Sequence, residues 1–247
     1  MLIVANWKAY VEELAKAKKL FTASKRLAAA TGSRIVLAPP APLLGALAVG
    51  NKSAVAFAAQ DVSATTGGAR TGEVTAQTYA TAGATYAIIG HSELREAGDT
   101  NAIIAEKLAH ALAQGLTPIL CIGERERDGE GRYLGIVREE LTLAVESLAP
   151  KERAKVIVAY EPLWAIGRDA EHAIGQNDLT EMVLYIRKIL AELLPGKSSQ
   201  HSLVLYGGSV EPTNIRDLAA SSGVDGFLIG HASVELHTFS LLVKQLQ

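Results

Sequence analysis

The feature of this sequence that most constrains its fold is a regular alternation of short apolar runs with amphipathic helical segments. Eight of the runs are rich in β-branched residues, and each is apolar at almost every position rather than at every second one. That continuous pattern is typical of strands buried on both faces, as in parallel sheets. The eight predicted strands are Leu2–Ala5, Arg34–Ala38, Ala54–Gln60, Tyr86–Gly90, Thr117–Cys121, Lys155–Tyr160, Ser202–Tyr206 and Gly226–Ile229.

Helical periodicity fills most of the segments between these runs. Asp178 is predicted to cap the helix with the clearest apolar face, and Pro195-Gly196 is predicted to end it. A second helix has Asp99 or Thr100 as its expected cap. The three clearest predicted helices are Val11–Ala30, Thr100–Gln114 and Leu179–Leu194.

Strands that alternate with helices predict βα units, whose crossover connections make neighbouring strands parallel. Eight such units close into a (β/α)₈ barrel, which typically needs about 250 residues. An open doubly wound sheet is the structural alternative, but no G-x-G-x-x-G follows the first strand, as a dinucleotide-binding sheet requires. No linker or charge run divides the chain. We therefore expect residues 1–247 to form a single domain, a parallel eight-stranded barrel with outer helices.

Composition argues against several classes of function. The chain has 24 Lys and Arg against 26 Asp and Glu, which is no reason to expect nucleic acid or an anionic membrane as a partner. Cys121 is the single cysteine, so neither a disulfide framework nor a cysteine metal cage is expected. No apolar run approaches the roughly 18 residues of a membrane helix, and the N-terminus lacks a secretory signal pattern. We expect a cytoplasmic protein.

Polar residues that follow the predicted strands are the candidates for chemistry, because active sites of (β/α)₈ barrels lie at the carboxyl ends of the strands. Lys8, His91 and Glu161 follow the first, fourth and sixth strands. Together they suit proton abstraction next to a carbonyl group. Glu161 would be the base, His91 a hydrogen-bond donor to the oxygen, and Lys8 a stabilising cation. Singly, each has an ordinary structural explanation, and only their shared position favours catalysis.

Glycine-containing ends of the last two strands predict a phosphate site. Gly207-Gly208-Ser209 follows the seventh strand and Gly230-His231 the eighth. Glycine lets backbone N–H groups approach an anion closely, and these two loops commonly form the phosphate site of a barrel. Tight turns without a ligand are the alternative at either position. The six histidines show no metal-ligand spacing, so we expect no metal.

The motifs at these strand ends resemble those of the triosephosphate isomerase family, in family order from residue 3 to residue 234. The resemblance implies a TIM barrel that interconverts dihydroxyacetone phosphate and D-glyceraldehyde 3-phosphate through an enediolate, in glycolysis and gluconeogenesis. It implies neither a cofactor nor a metal. The matching segments are Asn6-Trp7-Lys8, Ala58–Val62 with Gly67–Glu73, Ile89–Glu93, Cys121–Glu124, Tyr160–Gly167 and Tyr206–Val210.

The resemblance also implies a role for individual residues. By position, the base is Glu161 and the neutral electrophile is His91. The implied catalytic residues are Glu161, His91, Lys8 and Asn6, and the implied supporting residues are Glu93, Ser92 and Thr71. The implied phosphate contacts are the backbone N–H groups of Gly167, Ser209, Gly230 and His231. Closure of the sixth loop around Gly167 would keep water away from the intermediate.

A homodimer is a further implication of the resemblance. In the family, the third loop usually inserts into the partner beside its Asn and Lys. This chain keeps that loop at full length, with Thr71 at its tip. We therefore expect Thr71 to reach Asn6 and Lys8 of the partner subunit.

Four departures from the family pattern limit what carries over. His231 replaces a common glycine, so its side chain either points away from the phosphate or contacts it; we hypothesise that it attracts phosphate when protonated. Arg168–His172 replaces the usual second hinge of the sixth loop, which predicts altered lid opening. Leu94 replaces an arginine, which predicts a weaker dimer. Ala9-Tyr10 replaces Met-Asn beside the place where the partner's third loop should dock.

Two other functions remain as alternatives to an active aldose–ketose isomerase. A sugar-phosphate epimerase would need a different acid–base pair and usually a metal. A phosphate-ligand-binding barrel with impaired catalysis would keep the fold but lose the glutamate or the lysine. All four catalytic-type positions are filled in this chain, which favours the isomerase.

Overall fold

The computed structural model describes residues 1–167, 174–194 and 202–247. Eight parallel strands close into a barrel in which each strand pairs with its sequence neighbours and the first pairs with the last. The prediction of a (β/α)₈ barrel is therefore confirmed. The strands are β1 (Leu2–Asn6), β2 (Arg34–Ala38), β3 (Ala56–Ala59), β4 (Tyr86–Ile89), β5 (Thr117–Ile122), β6 (Ile157–Tyr160), β7 (Val204–Tyr206) and β8 (Gly226–Ile229).

Helices surround this barrel. Short 3₁₀ turns at Leu163–Ala165 and His231–Ser233 follow β6 and β8. Within the described residues, no helix is both long enough and apolar enough to cross a membrane. The helices are α1 (Leu14–Thr31), α2 (Ala41–Ala48), α3 (Ala76–Thr81), α4 (Ser92–Glu96), α5 (Asn101–Ala113), α6 (Arg132–Val145), α7 (Pro150–Arg153), α8 (Gln176–Leu193), α9 (Ile215–Ser221) and α10 (Leu236–Gln245).

Several strands are shorter than their apolar runs predicted. β3 begins at Ala56 and β6 at Ile157, where pairing with the preceding strand starts. Val55 and Val156, just before these strands, are buried without belonging to them. An apolar run indicates that its residues are buried, whereas a strand also requires hydrogen bonds to a neighbouring strand. The run can therefore be longer than the strand.

The helix caps match the sequence predictions only in part. Thr100 caps α5, and its hydroxyl accepts the N–H of Ile103 at 3.3 Å, as one of the two alternatives predicted. The prediction that Asp178 caps α8 was wrong, because the cap is Gly175 and Asp178 lies in the first turn. Its carboxylate instead forms an ion pair with Arg127 at 2.9 Å, a tertiary contact that local capping rules do not include. Pro195-Gly196 lies outside the described residues.

Two apolar layers bury the barrel strands on both faces. Side chains such as Val4 and Ile119 point into the barrel and form one cluster, while Ile3 and Leu120 pack outward against the helices in a second cluster. Cys121 belongs to the inner cluster and is 1% exposed, and burial raises the pKa of its thiol. It therefore packs as a small apolar side chain.

Candidate active site

A cavity of about 460 Å³ opens at the carboxyl ends of the strands. It brings together nine of the eleven residues that the sequence analysis selected. Ser92 is buried beside the cavity, whereas Thr71 lies on an exposed loop and is not part of the cavity wall. The nine lining residues are Asn6, Lys8, His91, Glu93, Glu161, Gly167, Ser209, Gly230 and His231.

Lys8 is held in an unusual backbone conformation at the end of β1. Among the residues described, it is the one non-glycine residue in the left-handed region, with φ of 45°. Its N–H donates to Oδ1 of Asn6 at 3.1 Å, and Gln60 donates to its carbonyl oxygen at 2.9 Å. Such strained backbones persist where the surroundings enforce them, which is common at functional sites. The strain aims the ammonium group into the cavity.

Glu93 fixes the position of that ammonium group. Nζ of Lys8 donates to Oε1 of Glu93 at 2.8 Å. Burial acts to raise the pKa of Glu93, but the hydrogen bond and the charge of Lys8 outweigh it and lower the pKa. Glu93 therefore stays ionised at neutral pH. The pair holds the ammonium group of Lys8 at the wall of the cavity.

Glu161 is the buried carboxylate of the site. It follows β6 and is 2% exposed, and its own N–H donates to the carbonyl oxygen of Ile122 at 2.8 Å. One carboxylate oxygen accepts the N–H of Ser92 at 3.2 Å, and the other lies 3.4 Å from Nε2 of His91. This position, buried and aimed into the cavity beside an imidazole, is that of a candidate general base.

His91 presents one ring nitrogen to the cavity. It is the cap of α4, and its Nδ1 accepts the N–H of Glu93 at 3.3 Å. An accepting Nδ1 carries no proton, so the ring proton lies on Nε2, the nitrogen that faces Glu161. The imidazole therefore offers an N–H donor beside the carboxylate.

The glycines after β7 have a role that the sequence analysis missed. A Cβ added to Gly207 would lie 2.7 Å from Cγ of Glu161, and one added to Gly208 would overlap the ring of Tyr206. Behind Glu161, a Cβ on Gly123 would overlap its backbone carbonyl group. The sequence pattern predicts phosphate binding alone, but Gly207 also leaves the space that the side chain of Glu161 occupies, and Gly208 leaves space for the ring of Tyr206.

Arg95 is a second group that the sequence analysis missed. Its guanidinium donates to the carbonyl oxygens of Gly90 at 3.0 Å and Cys121 at 3.2 Å, and it lies 3.4 Å from Glu140. It therefore ties the ends of β4 and β5 together just before His91. Arg95 is hard to identify from the sequence, because it lies within a short helix and does not directly follow a strand.

A buried carboxylate, Glu124, anchors the root of the sixth loop. It is fully buried after β5 and accepts hydrogen bonds from the hydroxyl of Tyr160 and the indole of Trp164, both at 2.8 Å. Arg127 lies 3.5 Å from the same oxygen. Burial and the charge of Glu124 raise the pKa of Tyr160, so its hydroxyl stays a donor. The altered second hinge, Arg168–His172, lies outside the described residues.

Replacing Glu124 with Gln should destabilise this anchor. The amide oxygen accepts the hydrogen bonds of Tyr160 and Trp164 less strongly than the carboxylate does, so we expect the free energy of unfolding to fall by about 1–3 kcal/mol. Denaturant unfolding measures this change. Tyr160→Phe is the matched control, because it removes one donor without changing the acceptor. Wild-type stability in Glu124→Gln would show that the anchor contributes nothing.

Comparisons of the sequence with known proteins show which family the chain belongs to. The sequence model of the triosephosphate isomerase family matches residues 1–246. The triosephosphate isomerase of Thermus thermophilus is 38% identical over 251 residues, which cover 99% of this chain and 98% of the relative. That of Coprinopsis cinerea is 37% identical, with 93% and 92% covered, and that of Shewanella denitrificans is 39% identical, with 96% and 94% covered. The chain therefore belongs to the triosephosphate isomerase family and interconverts dihydroxyacetone phosphate and D-glyceraldehyde 3-phosphate, a step of glycolysis.

Proposed function

We propose that Glu161, His91, Lys8 and Asn6 carry out this isomerisation in the cavity at the carboxyl ends of the strands. The observation that carries the proposal is the buried carboxylate of Glu161, which lies 3.4 Å from Nε2 of His91. A base and an N–H donor at this separation can act on one carbonyl group and its neighbouring carbon. A coupled assay of glyceraldehyde 3-phosphate turnover tests the proposal, with Glu161→Gln as the control.

In the proposed mechanism, Glu161 removes a proton from the hydroxyl-bearing carbon next to the carbonyl group. A proton then passes from that hydroxyl oxygen to the former carbonyl oxygen beside Nε2 of His91, and Glu161 returns its proton to the former carbonyl carbon. The electron pair of the broken C–H bond forms the enediolate. Negative charge then develops on oxygen, where the Nε2–H of His91 and the ammonium of Lys8 stabilise it. The side chain of Asn6 holds the strained turn of Lys8 through its hydrogen bond at 3.1 Å. No metal or cofactor enters these steps.

The substrate's phosphate is proposed to bind where the sixth, seventh and eighth loops meet. The contacts would be the backbone N–H groups of Gly167, Ser209, Gly230 and His231, all of which line the cavity. Backbone N–H groups bind a dianion well, because they need no reorganisation. The sixth loop would close over the phosphate and exclude water, which matters because an exposed enediolate phosphate would lose its phosphate.

We also propose that the protein is a homodimer joined through the third loop. A second cavity of about 410 Å³ lies beside the first, and its lining includes Asn6, Lys8 and Leu94. Residues 66–73, at the tip of the third loop, are exposed in the isolated chain. An exposed loop and an open cavity next to the catalytic lysine support insertion of the loop into a second copy. Leu94 lines that cavity and offers an apolar contact at the position where the family usually has an arginine.

Replacing Thr71 with Arg should separate the two subunits. The longer, charged side chain would lose its water on entering the cavity, so we expect a monomer with specific activity reduced by about tenfold or more. Light scattering gives the mass, and the coupled assay gives the activity at the same concentration. Thr22→Arg, on the exposed face of α1, is the matched control. A dimeric Thr71→Arg, or a fully active monomer, would contradict the proposal.

Residues 1–247 are further proposed to form a single domain that acts in the cytoplasm. Pairing between β1 and β8 supports one domain, because it joins the two ends of the chain in the same sheet. The formal net charge of −2 gives no electrostatic reason to propose nucleic acid or an anionic membrane as a further partner. A single cooperative unfolding transition is the expected result for one domain.

A further inference from the structure

Tyr10 and His231, both departures from the family pattern, contact each other at the mouth of the cavity. Their ring centroids are 5.0 Å apart and their planes cross at 72°, an edge-to-face arrangement. Tyr10 lies in the turn after β1, where its N–H donates to the carbonyl oxygen of Trp7 at 3.0 Å. Both rings line the cavity that contains Lys8 and Gly230. The contact therefore connects the loop of the catalytic lysine with the loop proposed to bind phosphate.

The backbone around His231 is firmly held. The hydroxyl of Ser233 donates to the carbonyl oxygen of Gly230 at 2.7 Å, and its N–H donates to the same oxygen at 2.9 Å. Ser233 itself is fully buried. A fixed turn on one side and the ring of Tyr10 on the other limit where the imidazole can point. The imidazole therefore lies at the mouth of the cavity against the ring of Tyr10.

The imidazole of His231 is available to a ligand. The side chain is exposed, and no carboxylate within the described parts of the chain forms an ion pair with it. The titratable and charged groups on the segments packed around it are Lys8 and Tyr10 after β1, Glu211 after β7, Glu235 and His237 at the start of α10, and Lys16 of α1. Glu235 lies 3.9 Å from Lys16, which offsets its charge.

We propose that the imidazole of His231 is a side-chain ligand of the substrate's phosphate group, held over the cavity by Tyr10. The inference rests on the proposed phosphate site and adds a donor to its backbone N–H groups. A neutral imidazole offers one N–H to phosphate, and a protonated imidazole adds a positive charge as well. Because the side chain is exposed, the gain in phosphate affinity is modest and grows as the pH falls.

The test compares wild type with His231→Gln, which removes the charge and retains a polar group. We expect KM for dihydroxyacetone phosphate to rise about three- to fivefold at about pH 6 and less at about pH 8. The change should fall mainly on KM, because the contact persists through the reaction. The substrate's own phosphate gains a proton near pH 6, but it does so equally for every variant. His237→Gln, on α10, is the matched control.

Two further measurements test whether the effect of His231 depends on the phosphate group of the substrate. Turnover of unphosphorylated D-glyceraldehyde should be the same in wild type and His231→Gln. Tyr10→Ala should reproduce part of the KM change, and Tyr10→Phe should not, because the phenyl ring keeps the packing. An equal KM in wild type and His231→Gln at both pH values would overturn the proposal. So would an equal loss with the unphosphorylated substrate, which would indicate general damage to the cavity.

Calorimetric titration with inorganic phosphate separates this inference from the proposed function. If the wild type shows no turnover, the proposed catalytic roles are wrong. His231→Gln binding phosphate more weakly than the wild type would still support the side-chain contact. With normal turnover and equal phosphate binding in both proteins, the catalytic roles stand and the role of His231 is refuted.

Discussion

Glu161→Gln should reduce kcat by about 10²- to 10⁴-fold, the effect of removing a positioned general base. The amide has nearly the same shape as the carboxylate but cannot accept a proton at neutral pH. Glu161 is buried, and its carboxylate oxygens lie within 3.4 Å of Ser92 and His91, so no water-borne base can take its place. Stopped assays with purified variant and wild type at the same concentration measure the loss.

Phosphate binding provides the control for Glu161→Gln. The variant should bind inorganic phosphate as wild type does, because the proposed phosphate contacts at Gly167, Ser209 and Gly230 belong to other loops. A loss of turnover with binding intact would assign the base to Glu161. Turnover within tenfold of wild type would exclude it. A wild type that binds phosphate but does not turn over would support the alternative, a phosphate-binding barrel with impaired catalysis.

Gly207→Ala should lower kcat by about 10²-fold without touching a reacting group. The added methyl would lie 2.7 Å from Cγ of Glu161, closer than carbon atoms in proteins approach each other. The side chain of Glu161 must then shift. A displacement of about 1 Å at a reacting centre costs on the order of 10²-fold in rate. Steady-state kinetics of the variant measure the effect, which should fall on kcat more than on KM.

Gly135→Ala is the matched control for this prediction. Gly135 lies in α6, where an added Cβ meets nothing within 4 Å, so its replacement should leave kcat unchanged. Similar unfolding curves for Gly207→Ala and wild type would show that the loss of rate is local. A Gly207→Ala protein with wild-type kcat would mean that Glu161 tolerates the shift, and the geometry of the base would then be less critical than we infer.

The barrel was predictable because the sequence pattern that indicates it, an apolar run followed by a helical segment, is local and is repeated along the chain. Each of the eight strands matches an apolar run, and the closed parallel order follows from alternation with helices. Lys8, His91 and Glu161 were predictable for a related reason. In a parallel barrel the carboxyl ends of all strands share one face, so a polar residue after a strand can be placed without knowing any side-chain contact.

The boundaries and caps were less predictable. Asp178 has the residue type and position of a helix cap, yet it pairs with Arg127, which comes from a loop 51 residues earlier. Glu124 could be read only as part of a motif, and its burial under Tyr160 and Trp164 depends on how the sixth loop folds back. In both cases a partner distant in sequence decides what the residue does.

By itself, the sequence determined the barrel, the family and the chemical types gathered at one end of the strands, since periodicity and strand-end position are local properties. Only the tertiary structure decided how those groups act on one another. It placed Lys8 in a strained turn, aligned Nε2 of His91 with Glu161, left space for that carboxylate at Gly207, and brought Tyr10 against His231. These relations join segments from different strands, and barrel closure alone sets the distances between them.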